Sequence, residues 1–224
     1  MFKKYWKFFV IFWSVVLVGI IGVFVFFWLI SAGKLGFMPT FEELENPNNR
    51  FASEVYFADG PIMNRYFEKE NRKYIEYREI PQSVIDALIT TEDVRFYDHS
   101  GIDVRGLFRV AKGLLTANTS AGGGSTISQQ LAKMLFPRES DLNVFELVIR
   151  KFREWVIAVR LEKSYTKEEI LTMYLNKYDF LNLAVGISSA ADIYFQVPLD
   201  SLKVEQAAML VGMAKNSSYY NPVR

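Results

Sequence analysis

The stretch TTEDVRFYDHSG, residues 90–101, is the starting point for predicting the fold and the function, because acidic residues and a histidine lie close together in it. Glu92 and Asp93 stand side by side, and His99 is the single histidine of the chain. Acids at the C-terminus of a helix oppose the helix dipole and need compensation. Taken alone, the pair of acids is typical of a solvated helix end as well as of a functional site. His99, taken alone, is typical of a structural residue that forms hydrogen bonds.

Helical patterns flank this stretch on both sides. Before it, one helical face carries apolar side chains, at Val84, Ile85, Leu88 and Ile89, and Pro81 is well placed to start that helix. After it, we expect a second helix from Asp103 onward. The glycines at 122–124 interrupt the chain, and Ser125 or Thr126 is expected to cap the next helix.

The second half of the chain predicts more helices. The longest pattern is LNVFELVIRKFREWVIAVRLEK, residues 142–163, and Thr166 with Glu169 has the spacing of a capping box for the following helix. Shorter helices fit residues 188–195 and 204–214. Residues 51–67 alternate like strands around Asp59-Gly60-Pro61, which predicts a short β-hairpin. The expected fold class is mainly α.

Composition excludes several classes of protein. The 224 residues carry 26 lysines and arginines against 25 acids, so the chain offers no overall charge for nucleic acid, and we expect no nucleic-acid partner. The chain has no cysteine, which excludes a disulfide scaffold and a thiolate zinc site.

The N-terminus predicts a membrane anchor. Residues 8–33 carry no charge, and a helix of this length would cross a hydrocarbon core of about 30 Å. Lysines precede the run and glutamates follow it, which puts the N-terminus in the cytoplasm. A cleaved signal is the alternative, but the apolar run is about twice the usual signal core. We expect a cytoplasmic tail (1–7), a transmembrane helix (8–33), a linker (34–50) and a domain (51–224) truncated at its C-terminal end.

Four ordered motifs resemble those of the family 51 peptidoglycan glycosyltransferase domain, found in class A penicillin-binding proteins and monofunctional glycosyltransferases. The residues that match the first motif are Glu92, Asp93, Phe96, His99 and Gly101. The residues that match the second are Gly123, Ser125, Thr126, Gln129, Gln130 and Lys133. The residues that match the third are Arg150, Lys151, Glu154, Leu161 and Glu162. The fourth resembles KEEILTMYLN, which ends at Asn176.

The resemblance implies a lysozyme-like glycosyltransferase fold, with two lobes and a cleft that holds Glu92 and Glu154 on opposite sides. It implies polymerisation of lipid II into glycan strands on the outer, periplasmic face of the bacterial cytoplasmic membrane. The expected partners are lipid II, the growing glycan strand, the lipid bilayer and proteins of cell-wall synthesis. The expected cofactor is a divalent cation, Mg²⁺, with no ligands assigned.

The resemblance also implies roles for single residues. Glu92 resembles the general base that takes the proton of the acceptor hydroxyl, and Glu154 the second catalytic carboxylate. The expected substrate-binding residues are Ser125, Thr126, Gln129, Gln130, Lys133, Arg150 and Lys151, of which the three cations would stabilise the diphosphate leaving group. The expected structural residues are Asp93, Phe96, His99 and Gly101.

Several alternatives stay open at this stage. A lytic enzyme would need a neutral carboxylic acid in place of a basic diphosphate site, and a catalytically silent membrane scaffold would fit departures from the family pattern such as Met134 and Gln196. The helix at residues 105–117 fits a core helix or an interfacial one. Ser164 to Lys167 matches the Ser-x-x-Lys of a transpeptidase, but the companion motifs are absent from the sequence.

Overall fold

The computed structural model describes residues 2–40, 53–56, 62–66, 73–116, 123–136 and 143–223, and over these ranges the chain is mainly helical, as expected. The α-helices, numbered in chain order, are α1 Phe2–Ser31, α2 Gln82–Glu92, α3 Val104–Leu115, α4 Ile127–Leu135, α5 Val144–Ser164, α6 Lys167–Lys177, α7 Ile187–Phe195 and α8 Val204–Lys215. Short 3-10 helices lie at Tyr77–Glu79, Phe96–Asp98 and Leu199–Ser201.

Two strands lie between α1 and α2. Strand β1 (Ser53–Tyr56) pairs antiparallel with β2 (Ile62–Tyr66), and a register irregularity follows Val55. The alternation of side chains along residues 51–67 is a pattern that predicts such a pair. The turn at Asp59-Gly60-Pro61 lies outside the described residues.

Local signals explain where the helices begin. The side chain of Asp103 accepts a hydrogen bond from the backbone N–H of Gly106 and caps α3. Thr126 caps α4, so the second of the two expected caps is the one used. Thr166 and Glu169 form the predicted capping box of α6. Each cap satisfies backbone N–H groups that have no partner inside the helix.

The core is formed by the apolar faces of the helices that follow α1. Helix α2 packs against α8, and α4 packs against both α5 and α6. The largest side chains that are fully buried in this part of the chain include Tyr174, Phe96 and Phe180. The amide of Asn176 ties the segment before α2 to this core, because it exchanges two hydrogen bonds with the backbone of Ile75, at 3.0 and 2.8 Å.

Helix α1 is long and apolar enough to cross a membrane by length and composition, with a mean hydropathy of 2.8 over Tyr5–Ser31. Its large apolar side chains are exposed over most of its length. The helix begins at Phe2, because lysines are good helix formers and do not interrupt a helix. The bounds expected for the membrane-spanning segment, 8–33, stay a prediction.

The C-terminal end of α1 packs on the domain. The ring of Phe152 on α5 contacts Phe26 and Phe27 edge to face, with centroids 5.4 and 5.6 Å apart. The Arg160 guanidinium donates hydrogen bonds to the carbonyl oxygens of Ser31 (2.8 Å) and Pro39 (3.0 Å). The first residues of the predicted linker, 34–50, are therefore held against α5, and residues 41–50 lie outside the described part of the chain.

A left-handed turn follows α6 and has no glycine in it. Leu181, Asn182 and Leu183 have φ values of +66°, +50° and +65°. Gln196, where the resemblance leads one to expect glycine, also has a positive φ of +57° at the end of α7. Side chains with a Cβ are strained in this region, so the segment is held by its surroundings. The hydroxyl of Tyr194, for example, donates a 2.6 Å hydrogen bond to the carbonyl oxygen of Phe180.

Candidate active site

Glu92 is the last residue of α2, where the predicted acidic cluster begins. Its Oε2 atom accepts a hydrogen bond of 2.7 Å from the amide nitrogen of Gln130 on α4. Its Oε1 atom is enclosed and has no hydrogen-bond partner among the described residues. A buried acceptor without a partner is rare in folded proteins, so Oε1 is the oxygen of this carboxylate whose hydrogen-bonding capacity the described residues leave unused.

The Gln130 amide is held from its other side by Tyr174 on α6. The Tyr174 hydroxyl donates a hydrogen bond of 3.0 Å to Oε1 of Gln130. Burial of the Tyr174 ring, and then the nearby charge of Glu92, raise the pKa of the Tyr174 hydroxyl far above its ordinary value. The hydroxyl therefore stays protonated, and it stays a donor.

Asp93, the residue after Glu92, receives the compensation that an acid at the end of α2 requires. Its carboxylate accepts a hydrogen bond of 3.0 Å from the backbone N–H of Ile127, the first residue of α4. Nε2 of His99 lies 3.0 Å from the same carboxylate oxygen. The first-turn N–H groups and the positive end of the α4 dipole thus meet the acid that closes α2.

His99 acts as a structural residue in this cluster. Its Nδ1 atom accepts a hydrogen bond of 3.2 Å from the backbone N–H of Gly101, so the hydrogen-bond pattern assigns the ring proton to Nε2, which donates to Asp93. These contacts place His99 where it orients Asp93 and the loop, and its expected structural role stays a prediction.

Gly101 is the point where this loop meets α4 and α5. Its carbonyl oxygen accepts hydrogen bonds from Thr126 Oγ1 (2.8 Å) and Gln129 Nε2 (3.1 Å). Both side chains are buried, so this geometry gives them a role in holding the loop. Gly101 has a φ of +93°, and a Cβ there would lie 2.8 Å from the backbone carbon of Ala158. No side chain fits at this close approach.

A residue of the third motif contacts a residue of the second motif just before the start of α4. The Lys151 ammonium donates hydrogen bonds to Ser125 Oγ (3.0 Å) and to Glu154 Oε2 (2.9 Å). Glu154 is buried, while Lys151 is partly exposed. The second expected catalytic carboxylate is thus joined to the loop before α4 through one lysine.

A cleft of about 120 Å³ opens beside Glu92, and we call it the Glu92 cleft. Its lining residues are Thr91, Glu92, Asp93, Val94, Arg95, Asp103, Arg109, Gly123, Gly124, Ser125, Thr126 and Lys215. Of the expected site residues, the cleft brings together Glu92, Asp93, Ser125 and Thr126. Glu154 does not line it, and it reaches the lining through Lys151 and Ser125.

Three cations that line the cleft were not predicted as site residues. They are Arg95, Arg109 and Lys215. The Arg95 guanidinium donates hydrogen bonds to Asp103, which holds the pKa of Asp103 below its ordinary value. Arg95 lies so close to Glu92 in the sequence that its presence at the site could have been predicted. The presence of Lys215, at the end of α8, could not have been predicted, because only the packing of α8 on α2 brings Lys215 to the cleft.

The two remaining predicted cations lie away from the lining of the cleft. Lys133 is exposed on α4, and Arg150 is half-buried on α5.

Phe96 is fully buried below the loop, and the Lys167 ammonium lies 4.3 Å from the centre of its ring. Lys167 also pairs with the carboxylate of Glu162, at 2.7 Å. Phe96 is therefore part of the core.

The described residues do not form a protein-only metal site. No group of three or more histidines, aspartates or glutamates in this part of the chain is arranged to hold a metal ion. Mg²⁺ is usually held by one or two carboxylates together with substrate phosphates. Glu154 is a carboxylate that could serve in this way, but its Oε2 already binds Lys151.

Comparison with known proteins identifies the family. Residues 59–224 match the model of the transglycosylase domain. Over 186 residues, 83% of the chain, it is 36% identical to penicillin-binding protein 1A of Escherichia coli, 37% to that of Pseudomonas aeruginosa and 36% to that of Neisseria lactamica. These alignments cover 21%, 22% and 23% of the relatives, so the chain spans about a fifth of their length. The chain therefore belongs to the transglycosylase family, whose domain it shares with penicillin-binding proteins 1A.

Proposed function

We propose that this domain polymerises lipid II into glycan strands by a single inverting displacement at the anomeric carbon, with undecaprenyl diphosphate as the leaving group. The observation that carries the proposal is the state of the Glu92 carboxylate: one oxygen is fixed by Gln130, and the other is enclosed beside a cleft without a partner in the described residues. Membership of the transglycosylase family supplies the reaction class.

Glu92 is suited to act as the general base. The acceptor sugar's 4-hydroxyl must lose its proton as its oxygen attacks, and Oε1 is the carboxylate oxygen left to receive that proton. The amide N–H that Gln130 donates to Oε2 holds the carboxylate in one orientation.

The leaving diphosphate needs cations, because it departs as an anion and requires no strong general acid. Arg95, Arg109 and Lys215 already line the Glu92 cleft. Lys151 is placed next to the cleft by Ser125. Preorganised cations of this kind stabilise charge that develops in the transition state. Lys133 and Arg150 lie away from this lining, so a role for them in binding the diphosphate stays a prediction.

The proposed Mg²⁺ would be held mainly by diphosphate oxygens, with Glu154 as its protein ligand. It would neutralise charge on the leaving group. The deprotonation of the acceptor is assigned to Glu92, and the first stabilisation of the leaving diphosphate to the cations that line the cleft.

The membrane anchor and the exposed apolar surface fit a lipid-linked substrate. We infer that α1 spans the cytoplasmic membrane with the domain on its outer side, as the lysines before the span indicate. Helix α3 exposes Phe108, Leu114 and Leu115 by 73%, 80% and 89%. A core helix would bury these side chains, so an interfacial position of α3 is favoured.

Neither rival function gains support from the site geometry. A lytic enzyme would have no need of cations for a diphosphate leaving group, whereas Arg95, Arg109 and Lys215 line the Glu92 cleft. A silent scaffold would have no need for an enclosed carboxylate oxygen beside three cations.

The test is glycan polymerisation from labelled lipid II by the detergent-solubilised full chain. We expect polymer from wild type, loss of at least about 100-fold in rate for Glu92→Gln, and full activity for the matched control Glu205→Gln, an exposed acid in the first turn of α8. Chelation of divalent cations tests the proposed Mg²⁺ in the same assay. Polymer from Glu92→Gln at the wild-type rate would overturn the role of Glu92, and release of muropeptides from finished glycan would favour the lytic alternative.

A further inference from the structure

A chain of two hydrogen bonds links the candidate base to a tyrosine that the proposed mechanism does not use. The Tyr174 hydroxyl donates to Oε1 of Gln130 at 3.0 Å, and the Gln130 amide nitrogen donates to Oε2 of Glu92 at 2.7 Å. The three residues come from α6, α4 and α2. The carboxylate is therefore oriented by a helix that does not itself reach the cleft lining.

An amide side chain can point either way, and only one orientation suits Glu92. If the Gln130 side chain turned over, its carbonyl oxygen would face the carboxylate, and two acceptors would meet without a proton between them. The Tyr174 hydroxyl opposes this, because a turned amide would present its NH2 group to the hydroxyl and remove the acceptor that the buried O–H now has in Oε1 of Gln130. Its pKa is raised by burial and by the charge of Glu92, so the proton stays on the hydroxyl.

The Tyr174 ring is held rigidly enough to serve this purpose. The side chain is fully buried, and its ring stacks on that of Tyr178 with centroids 5.7 Å apart. A group locked by packing can hold its partner within the narrow range of positions that catalysis needs.

We propose that Tyr174 is a positioning residue for Glu92: its hydroxyl fixes the Gln130 amide so that the amide donates to Oε2 and leaves Oε1 as the oxygen that accepts the proton. This inference rests on the proposed function for its kinetic consequences, while the hydrogen-bond chain itself can be tested without substrate.

Loss of the Tyr174 hydroxyl would allow the Gln130 amide to turn and would weaken the donor to Glu92. A carboxylate that loses a donor is protonated at higher pH. The other titratable and charged groups that face Glu92 from the packed elements are Asp93, Arg95, Asp103, Arg109, Tyr178 and Lys215. None of these is changed by the substitution, so a shift can be assigned to the hydrogen-bond chain.

Tyr178 provides a matched control. It is a buried tyrosine whose pKa is also raised, first by burial and then by the charge of Glu92. Its hydroxyl donates to backbone carbonyl oxygens near the end of α8, at 2.9 Å to Ala214, and it has no bond to Gln130 among the described residues. Tyr178→Phe therefore removes an equivalent group outside the chain of hydrogen bonds.

The kinetic experiment is a double-mutant cycle with the full chain. For Tyr174→Phe we expect the acid limb of the pH profile of kcat/KM to move to higher pH, with a loss of about three- to tenfold on that limb and little change on the plateau. Tyr178→Phe should leave the limb in place. In a Gln130→Met background, Tyr174→Phe should add no further shift, because the amide through which it acts is gone.

The second measurement follows the Glu92 carboxylate directly, by ¹³C NMR titration of the labelled full chain, with the Glu92 signal assigned by Glu92→Gln. The titration midpoint should move to higher pH in Tyr174→Phe and in Gln130→Met but not in Tyr178→Phe. An unmoved midpoint in Tyr174→Phe overturns the proposal, and if that variant does not fold, an unmoved midpoint in Gln130→Met does so. A moved midpoint without polymer from wild type would support Tyr174 and refute the proposed function instead.

Discussion

Replacing Gly101 with alanine perturbs the contact on which the acidic loop depends. Gly101 has a φ of +93°, and the new Cβ would lie 2.8 Å from the carbonyl carbon and 2.9 Å from the carbonyl oxygen of Ala158 on α5. Both atoms belong to the backbone of a packed helix, so neither can turn aside as the end of a side chain could. Either α5 or the loop must move.

The structure allows the cost of Gly101→Ala to be worked out. A residue with a Cβ at this φ costs about 1–3 kcal/mol, and overpacking adds about 1–3 kcal/mol. The smaller conformational freedom of alanine in the unfolded chain offsets about 0.4–1 kcal/mol. We therefore expect the free energy of unfolding to fall by about 1–5 kcal/mol. For a domain of this size that is a Tm lower by about 2–20 °C.

Thermal unfolding in detergent, followed by circular dichroism, measures this effect. The matched control is Gly123→Ala, since a Cβ at Gly123 would meet nothing within 4 Å and the backbone there has no positive φ. Its Tm should stay within about 1–2 °C of wild type. An equal Tm for Gly101→Ala and the control would refute the claim that the loop requires glycine at this point.

Two further predictions concern stability elsewhere in the domain. Leu183 has a φ of +65° and an exposed side chain, so Leu183→Gly should raise the free energy of unfolding by about 0.5–1 kcal/mol, whereas Leu183→Ala, which keeps the Cβ, should gain nothing in a denaturant titration. The hydrogen bond from Arg95 lowers the pKa of Asp103 in the folded chain, so the stability that it provides is present above the unfolded pKa of about 3.9 and is lost as the pH falls through the lower folded value. Between about pH 6 and pH 3, wild type should lose more Tm than Asp103→Asn; an equal loss in both would mean that this pair does not contribute.

Features set by neighbouring residues could be predicted from the sequence. The caps at Thr126 and Thr166 depend on hydrogen bonds to residues three positions away, and both are confirmed. The position of Glu92 at the end of a helix follows from the apolar face of that helix in the same way. The four motifs also identified the family correctly, because their order and spacing are properties of the sequence alone.

Features that depend on packing between distant segments could not be predicted. The contact between Tyr174 and Gln130 joins residues 44 positions apart, and no local pattern indicates it. Lys215 reaches the cleft because α8 packs on α2. The left-handed turn at Leu181 to Leu183 contains no glycine from which it could have been predicted. Surrounding contacts override the preference of these residues for negative φ values.

The packing of α1 on α5 limits the degrees of freedom of the domain. An anchor joined to the domain by a flexible, extended linker would let the domain tilt and turn in any direction relative to the bilayer. Here the rings of Phe26 and Phe27 on Phe152, and the bonds from Arg160 to Ser31, set the angle between anchor and domain. If α1 spans the membrane as proposed, the domain follows the tilt and rotation of α1 instead of turning independently of it. The cleft would then keep one orientation relative to the anchor as both meet a substrate held in the same bilayer.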